Sequence, residues 1–357
     1  MQEVEGPLVH NVWDYERLEG QTGPLVYPAG FVYIFALLRA LTDEGKNIFR
    51  AQLIFSGLHG LLLLIVLMGV YLKTSTTPDF ALPLVVLSRR AHSIFELRLF
   101  NDGVAMIFAY ATIALGIMDR WTIACVCFSL GVSVKMNVIL MAPGLAVLLV
   151  QSRGILGAAW RIVLCGLIQL GLAWPFLQVN AIGYLRRSFD LGRVFLLKWT
   201  VNYKFLDEPN FQSPRLAIAL LIMTLSAWLA FGHFRWAKSS GGLFKMVLGS
   251  RMFDNRRLSA DHIATCMLES NLIGIVFARS MHYQFYVWYV HALPFLVWRG
   301  TLGRRSSLVG VAAIVAIELC FNIFPATPIS SLVLQVMNVT LLVSCWSSPP
   351  PSIKDKD

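Results

Sequence analysis

The sequence predicts an all-α polytopic membrane protein, and three observations carry that expectation. Of its 357 residues, 57% are apolar and only 14% are charged, where soluble domains carry about 25% charge. The stretch from Leu53 to Leu72 has no charged residue and is long enough to cross a hydrocarbon core of about 30 Å; comparable runs recur as far as Trp346. The net charge of +10 is carried by Lys and Arg lying between those runs. That arrangement fits loops against anionic headgroups and argues against a nucleic-acid partner.

The elements follow in order. Residues 1–29 form an acidic loop with Glu3, Glu5, Asp14, Glu16 and Glu19, and Gly23, Pro24, Pro28 and Gly30 fix its end as a turn. No signal peptide opens the chain. Phe31–Leu41 is a short apolar run, Asp43–Lys46 a polar break and Ile48–Leu72 a span. Between 80 and 118 the apolar pattern is interrupted by Pro83, Arg89, Arg90, His92, Glu96 and Arg98. This predicts a short or re-entrant helix, a break at Asn101-Asp102-Gly103, and a span over Val104–Met118. Trp121–Val150 carries one charge, Lys135. A straight helix of that length would run about 45 Å, so two half-spans meeting near Lys135 are expected, with Pro143-Gly144 marking another bend. Ile162–Leu177 is the next span. The loop 180–212, basic and aromatic, reads as a surface-lying amphipathic segment, and Leu216–Phe231 as a span. The loop 232–260 holds Arg235, Lys238, Lys245, Arg251, Arg256 and Arg257 against Asp254, which places it in the cytosol. Spans are expected near 262–278, 283–298, 307–324 and 329–346. The bundle thus covers 30–346 with about ten membrane segments, and the Pro-rich, charged tail 347–357 reads as disordered. One crossing from the 232–260 loop puts the 180–212 loop and the start of the 283–298 helix on the opposite, lumenal side.

Chemistry concentrates at the start of that late helix, where Arg279, His282, Tyr283 and Gln284 fall within six residues of an otherwise apolar run. Their donors suit an anionic headgroup; the plainer alternative is an aromatic belt with one snorkelling Arg. Lys135 inside an apolar stretch is costly unless paired, which makes it functional or ion-paired. Arg98 and Asp102, one helical turn apart, read as an internal ion pair. Cys125, Cys127, Cys165, Cys266, Cys320 and Cys345 all lie in apolar runs and read as small hydrophobes, with neither a disulfide framework nor a zinc motif. No metal or cofactor is expected.

The run Arg279-Ser280-Met281-His282-Tyr283-Gln284-Phe285-Tyr286-Val287-Trp288-Tyr289 resembles the signature of the endoplasmic-reticulum alpha-1,3-mannosyltransferases, which use dolichyl-phosphate-mannose to extend the dolichol-linked Man5GlcNAc2 oligosaccharide. Four further stretches resemble the same family in the same order. They are Thr22–Gly30; His92–Phe95 with Leu97–Asp102; Ser133–Val138; and Ser188–Arg193 followed by Trp199–Tyr203. The resemblance implies a membrane-embedded GT-C glycosyltransferase with a lumenal active face and an inverting mechanism. Its partners would be dolichyl-phosphate-mannose, the dolichol-diphosphate oligosaccharide and membrane lipid. It implies Arg193, Arg279 and His282 near the donor phosphate, with Tyr283, Gln284, Lys135 and Tyr27 lining the substrate site. The family's acidic Glu-Ile-Asp-Trp stretch and the helix before it would precede Met1, so a truncated start is expected. Glu3, Glu5, Asp14, Asp102 and Asp190 remain as carboxylates for the general base. Gly103 stands where the family often carries proline. A truncated non-catalytic relative and a polytopic solute or lipid transporter are the alternative readings. A transporter should show repeat symmetry, and no internal repeat is visible.

Overall fold

The computed structural model describes residues 2–20, 23–190 and 196–353. It is a helical bundle whose one small sheet, β1 (Glu19–Gly20) against β2 (Gly23–Pro24), lies in the N-terminal loop. α1 (Ala29–Leu41) starts directly after the extended Pro28. α2 (Ile48–Leu64) is capped by the Asn47 side chain, which accepts from Arg50 N, and runs on through a π-turn to Val70. Residues 79–97 meet α3 (Asn101–Ile117) at a bend of 116°, the geometry of a broken span or a re-entrant segment; the break falls at 98–100, before the expected Asn101-Asp102-Gly103, which already open the helix. α4 (Trp121–Val134) stops at Lys135, whose backbone is extended. A 3-10 stretch, Met136–Met141, then leads into α5 (Ala142–Ser188), so the long apolar run does break at Lys135.

α5 is broken at Gly154, which has φ +74°. Here the glycine is required twice over: a side chain would be strained at that φ, and its Cβ would lie 2.4 Å from the Arg251 carbonyl oxygen. The loop beyond Arg251 fills the break, with Ile155 N donating to Arg251 O at 3.0 Å and Leu156 N to Met252 O at 2.9 Å. α5 breaks a second time at Asn180 (φ −154°, ψ 84°), where the 180–212 loop is expected to begin, but the residues after that break are helical as far as Ser188. α6 (Pro214–Phe231), α7 (Ala260–Val276), α8 (Leu293–Arg299), α9 (Ser307–Asn322) and α10 (Pro328–Ser347) complete the bundle. α6 turns Ile218, Leu221, Ile222, Leu225 and Leu229 outward, as a lipid-facing helix does, whereas α7 is buried almost throughout.

Among the described residues four stretches are long and apolar enough to cross a membrane: Ile48–Lys73, Met136–Ser188, Pro214–Trp236 and Pro328–Ser347. The bent pair around residue 99 makes a fifth if it counts as one span, and Ala29–Leu41, Trp121–Val134 and Ser307–Asn322 are shorter apolar helices. Two expectations are corrected. The 283–298 stretch is not one helix: Tyr283–Trp288 and Val290–Ala292 are 3-10 turns, and α-helix begins only at Leu293. Pro294 explains this, because it has no N–H and its ring would strike the carbonyl of residue 290 in a continuous helix, while it is tolerated in a first turn. Nor is the stretch an aromatic belt, since Tyr286, Tyr289 and Phe295 are fully buried. The tail expected to be disordered is held as far as Ile353. Arg235 donates to Trp346 O (2.6 Å) and Ser348 O (2.8 Å), Arg299 donates to Pro349 O (2.5 Å), and Ser259 N donates to Ile353 O (2.9 Å).

These contacts sort the loops to two ends. Ser75 and Thr76 bond Asp261 at the start of α7, beside the strapped tail. At the other end Asn202 reaches Ala278, Lys204 N reaches Ser331, and Tyr283 reaches Ile323.

Candidate active site

Lys135 stands where α4 ends, so its side chain leaves the backbone at a break and not along a packed helix face. Its Nζ lies 2.7 Å from Asp102 Oδ1 and 3.4 Å from Asn101 Oδ1. The ion pair is buried, the Asp102 side chain completely. Trp288 Nε1 donates to the same Asp102 oxygen at 2.6 Å. Three ring centroids surround the ammonium: Phe285 at 5.2 Å, Tyr27 at 5.3 Å and Trp288 at 5.8 Å. Phe285 and Trp288 are themselves stacked at 3.9 Å. An aromatic enclosure of this kind favours a cation, and the carboxylate offsets the cost of burying it. Asp102 Oδ2 is buried and takes no hydrogen bond among the described residues. The expected Arg98–Asp102 pair does not form. The bend between them, with Leu99 at φ 54°, breaks the helical spacing that would bring them together.

The adjoining turn carries the other expected residues. Arg279 donates to Gln212 O at 3.1 Å while its Nε is buried without a partner, and no carboxylate pairs with it among the described residues. The His282 ring packs on Phe285 at 5.1 Å. Tyr283 donates to Ile323 O at 2.9 Å and lies under the Arg90 guanidinium at 5.0 Å. Gln284 is half-buried on the same turn. Residues 200–202 clamp this turn from below. Asn202 Oδ1 accepts from Met281 N and its Nδ2 donates to Ala278 O, both at 2.8 Å, while Val201 N donates to Met281 O at 2.7 Å. Burial pushes the Tyr203 phenol up to about 12, so that group stays neutral.

Tyr27, Asp102 and Lys135 thus come together, with Arg279, His282, Tyr283 and Gln284 on the next turn. The remaining acids are engaged elsewhere. Glu5 pairs with Arg39 at 3.4 Å, and Asp14 caps a turn through Glu16 N and accepts from Asn180 Nδ2, both at 3.1 Å. Glu3 packs against Gly20. These three sit on the N-terminal platform around Val4, Tyr15, Leu18 and Phe176. Asp190 is half-buried just past α5. Arg193 lies outside the described residues. Sequence reasoning missed Phe285 and Trp288 as partners of Lys135, Asn202 as the clamp, and Arg90, whose Nε donates to Phe321 O at 2.7 Å. Arg90 gave a signal as a charge in an apolar run, and Phe285, Trp288 and Asn202 lie in stretches that carry the family resemblance, although nothing in their spacing paired them with Lys135 or Met281.

The profile of the ALG3 protein family matches residues 1–331. A mouse protein named Dol-P-Man:Man(5)GlcNAc(2)-PP-Dol alpha-1,3-mannosyltransferase is 43% identical over 360 residues, covering 99% of this chain and 82% of its own length. Human and Arabidopsis thaliana proteins of the same name are 43% and 41% identical, covering 98% and 94% of this chain and 80% and 78% of theirs. No solved structure matches.

Proposed function

This chain belongs to the ALG3 protein family, and we propose on that footing that it transfers mannose from dolichyl-phosphate-mannose to the dolichol-linked Man5GlcNAc2 oligosaccharide. It is a multi-pass membrane glycosyltransferase forming an alpha-1,3 linkage, seated in the endoplasmic reticulum with its active face toward the lumen. The acceptor 3-hydroxyl oxygen bonds to C1 of mannose. The bond from C1 to the phosphate oxygen breaks, its electron pair leaves on the dolichyl phosphate, and the hydroxyl proton passes to a carboxylate. Inversion at C1 needs one base and no covalent intermediate.

One observation carries this reading: stretches far apart in the chain converge on one end of the bundle. Tyr27, Asn101-Asp102, Lys135 and Phe285-Trp288 meet around one ammonium, and residues 200–202 hold the turn before it. The contacts support the following roles. Arg279 and His282 receive the phosphate, and Arg193, which lies outside the described residues, is given the same role on the family resemblance alone; the Arg279 Nε, without a partner among the described residues, supports this. The rings of Tyr27, Phe285 and Trp288, fixed by Lys135, form the wall a sugar packs on, with Tyr283 and Gln284 at its edge. Asp102 Oδ2 is the carboxylate oxygen this site offers to a sugar hydroxyl. The test is purified protein in lipid nanodiscs with dolichyl-phosphate-mannose and a Man5GlcNAc2-diphospho-lipid acceptor. The product should gain one hexose by mass and lose it to an alpha-1,3-specific mannosidase. No gain with that donor, or a gain resistant to that enzyme, overturns the assignment.

A further inference from the structure

Away from this site, α2 and the segment before α3 bring together three side chains that no short motif unites. His59 Nδ1 lies 3.0 Å from Glu96 Oε1, and His92 Nδ1 contacts Glu96 Oε2. One donor atom from each of the three falls within 4.8 Å of the others. Packing fixes their geometry. The His59 ring stacks nearly parallel on Phe95 at 4.4 Å. Phe95 in turn fills the space over Gly103, where a Cβ would lie 2.1 Å from the ring, so the missing side chain at 103 is what lets Phe95 hold His59. Side-chain exposure rises from 9% at His59 and 18% at Glu96 to 59% at His92: two groups are inside and the third stands at the opening. Behind His59, its ring 6.2 Å away, is His291, wholly buried, with neither ring nitrogen bonded among the described residues.

We propose that His59, His92 and Glu96 bind a divalent transition-metal ion of the zinc type. Two imidazole nitrogens and one carboxylate are a ligand set that suits zinc and leaves a fourth position open. The nitrogens discriminate against magnesium and calcium, which prefer oxygen. A single divalent ion also satisfies one carboxylate facing two imidazoles in an apolar setting, where an uncompensated charge is costly. The ion ties α2 to the segment that bends into α3, and so braces the turn presenting Asn101 and Asp102 to Lys135. The site neither requires nor supplies a step in mannose transfer.

The experiment strips the purified full chain with a chelator, then titrates it with Zn2+ alone, using Co2+ absorption to report coordination. The expected result is one saturable equivalent, a rise in thermal unfolding midpoint on adding Zn2+, and a Co2+ spectrum of nitrogen and oxygen ligands. Glu96→Gln should lose binding. His92→Ala, at the exposed ligand, should weaken it at least about tenfold while leaving the metal-free midpoint unchanged, which separates ligand loss from misfolding. Binding equal in both variants and the native chain, or no saturable binding by the native chain, overturns the proposal and leaves a hydrogen-bonded His–Glu–His set. Because neither readout involves sugar transfer, this failure is distinct from failure of the functional assignment.

Discussion

At Lys135 a single charge organises four separated stretches, and its removal has calculable consequences. Lys135→Met leaves Asp102 buried without its counter-charge, and breaking one side of such a pair costs roughly 3–5 kcal/mol. Thermal unfolding in detergent should show the loss, and adding Asp102→Asn to the same chain should recover part of it. An unchanged midpoint in the single variant would mean the pair does not hold the site. Arg279→Ala and His282→Ala test a different property. Their side chains end on a turn secured by backbone bonds from residues 201–202, so both variants should insert and unfold like the parent while mannose transfer falls at least about tenfold, the weight of one lost charged contact to a phosphate. Near-normal transfer in both removes them from the phosphate site. The cost of Lys135 was legible in the sequence; its partner was not. Arg98 sits one nominal turn before Asp102, but a spacing argument holds only on a continuous helix, and the chain bends between them by 116°.

Whole elements were legible wherever length alone decided the matter. The Trp121–Val150 run is too long for one crossing, and the chain does break at Lys135. The 283–298 run looked like a span because composition does not register what Pro294 does to a helix that would have to pass through it. Its burial was hidden too, since aromatic residues serve a lipid interface and a packed core equally well. The turn ahead of it depends on Asn202, whose two amide atoms satisfy Met281 N and Ala278 O. Asn202→Ala leaves Ala278 O unmatched, at about 1–3 kcal/mol, and leaves Met281 N only its longer bond to Thr200 Oγ1 at 3.3 Å. Hydrogen exchange should rise at Met281 and its neighbours while α2 and α7 stay protected, and transfer should fall with it. Asn202→Asp keeps the acceptor but sets a buried carboxylate oxygen against Ala278 O, so it should not restore the protection. Unchanged exchange at Met281 in the alanine variant would show that the clamp is dispensable.

For the whole molecule, orientation is the property that decides function, and charge alone could not settle it, because the loops 180–212 and 232–260 are both basic. Connectivity separates them: α6 starts next to Ser213 and ends at Phe231, so the 196–212 end carrying the Asn202 clamp and the 232–260 end holding the tail strap are opposite poles. The lumenal active face proposed above requires the Lys135 and Arg279 pole to face that way. Ser239 and Glu208 are exposed, one at each pole. With Ser239→Cys in sealed endoplasmic-reticulum microsomes, a membrane-impermeant maleimide should label the introduced thiol directly. With Glu208→Cys it should label only after the membrane is permeabilised. The six native cysteines are buried or half-buried, so the parent chain measures the background. The reverse pattern would put the cationic pole in the cytosol, and no arrangement of Arg279, His282 and Asp102 could then reach a lumenal acceptor.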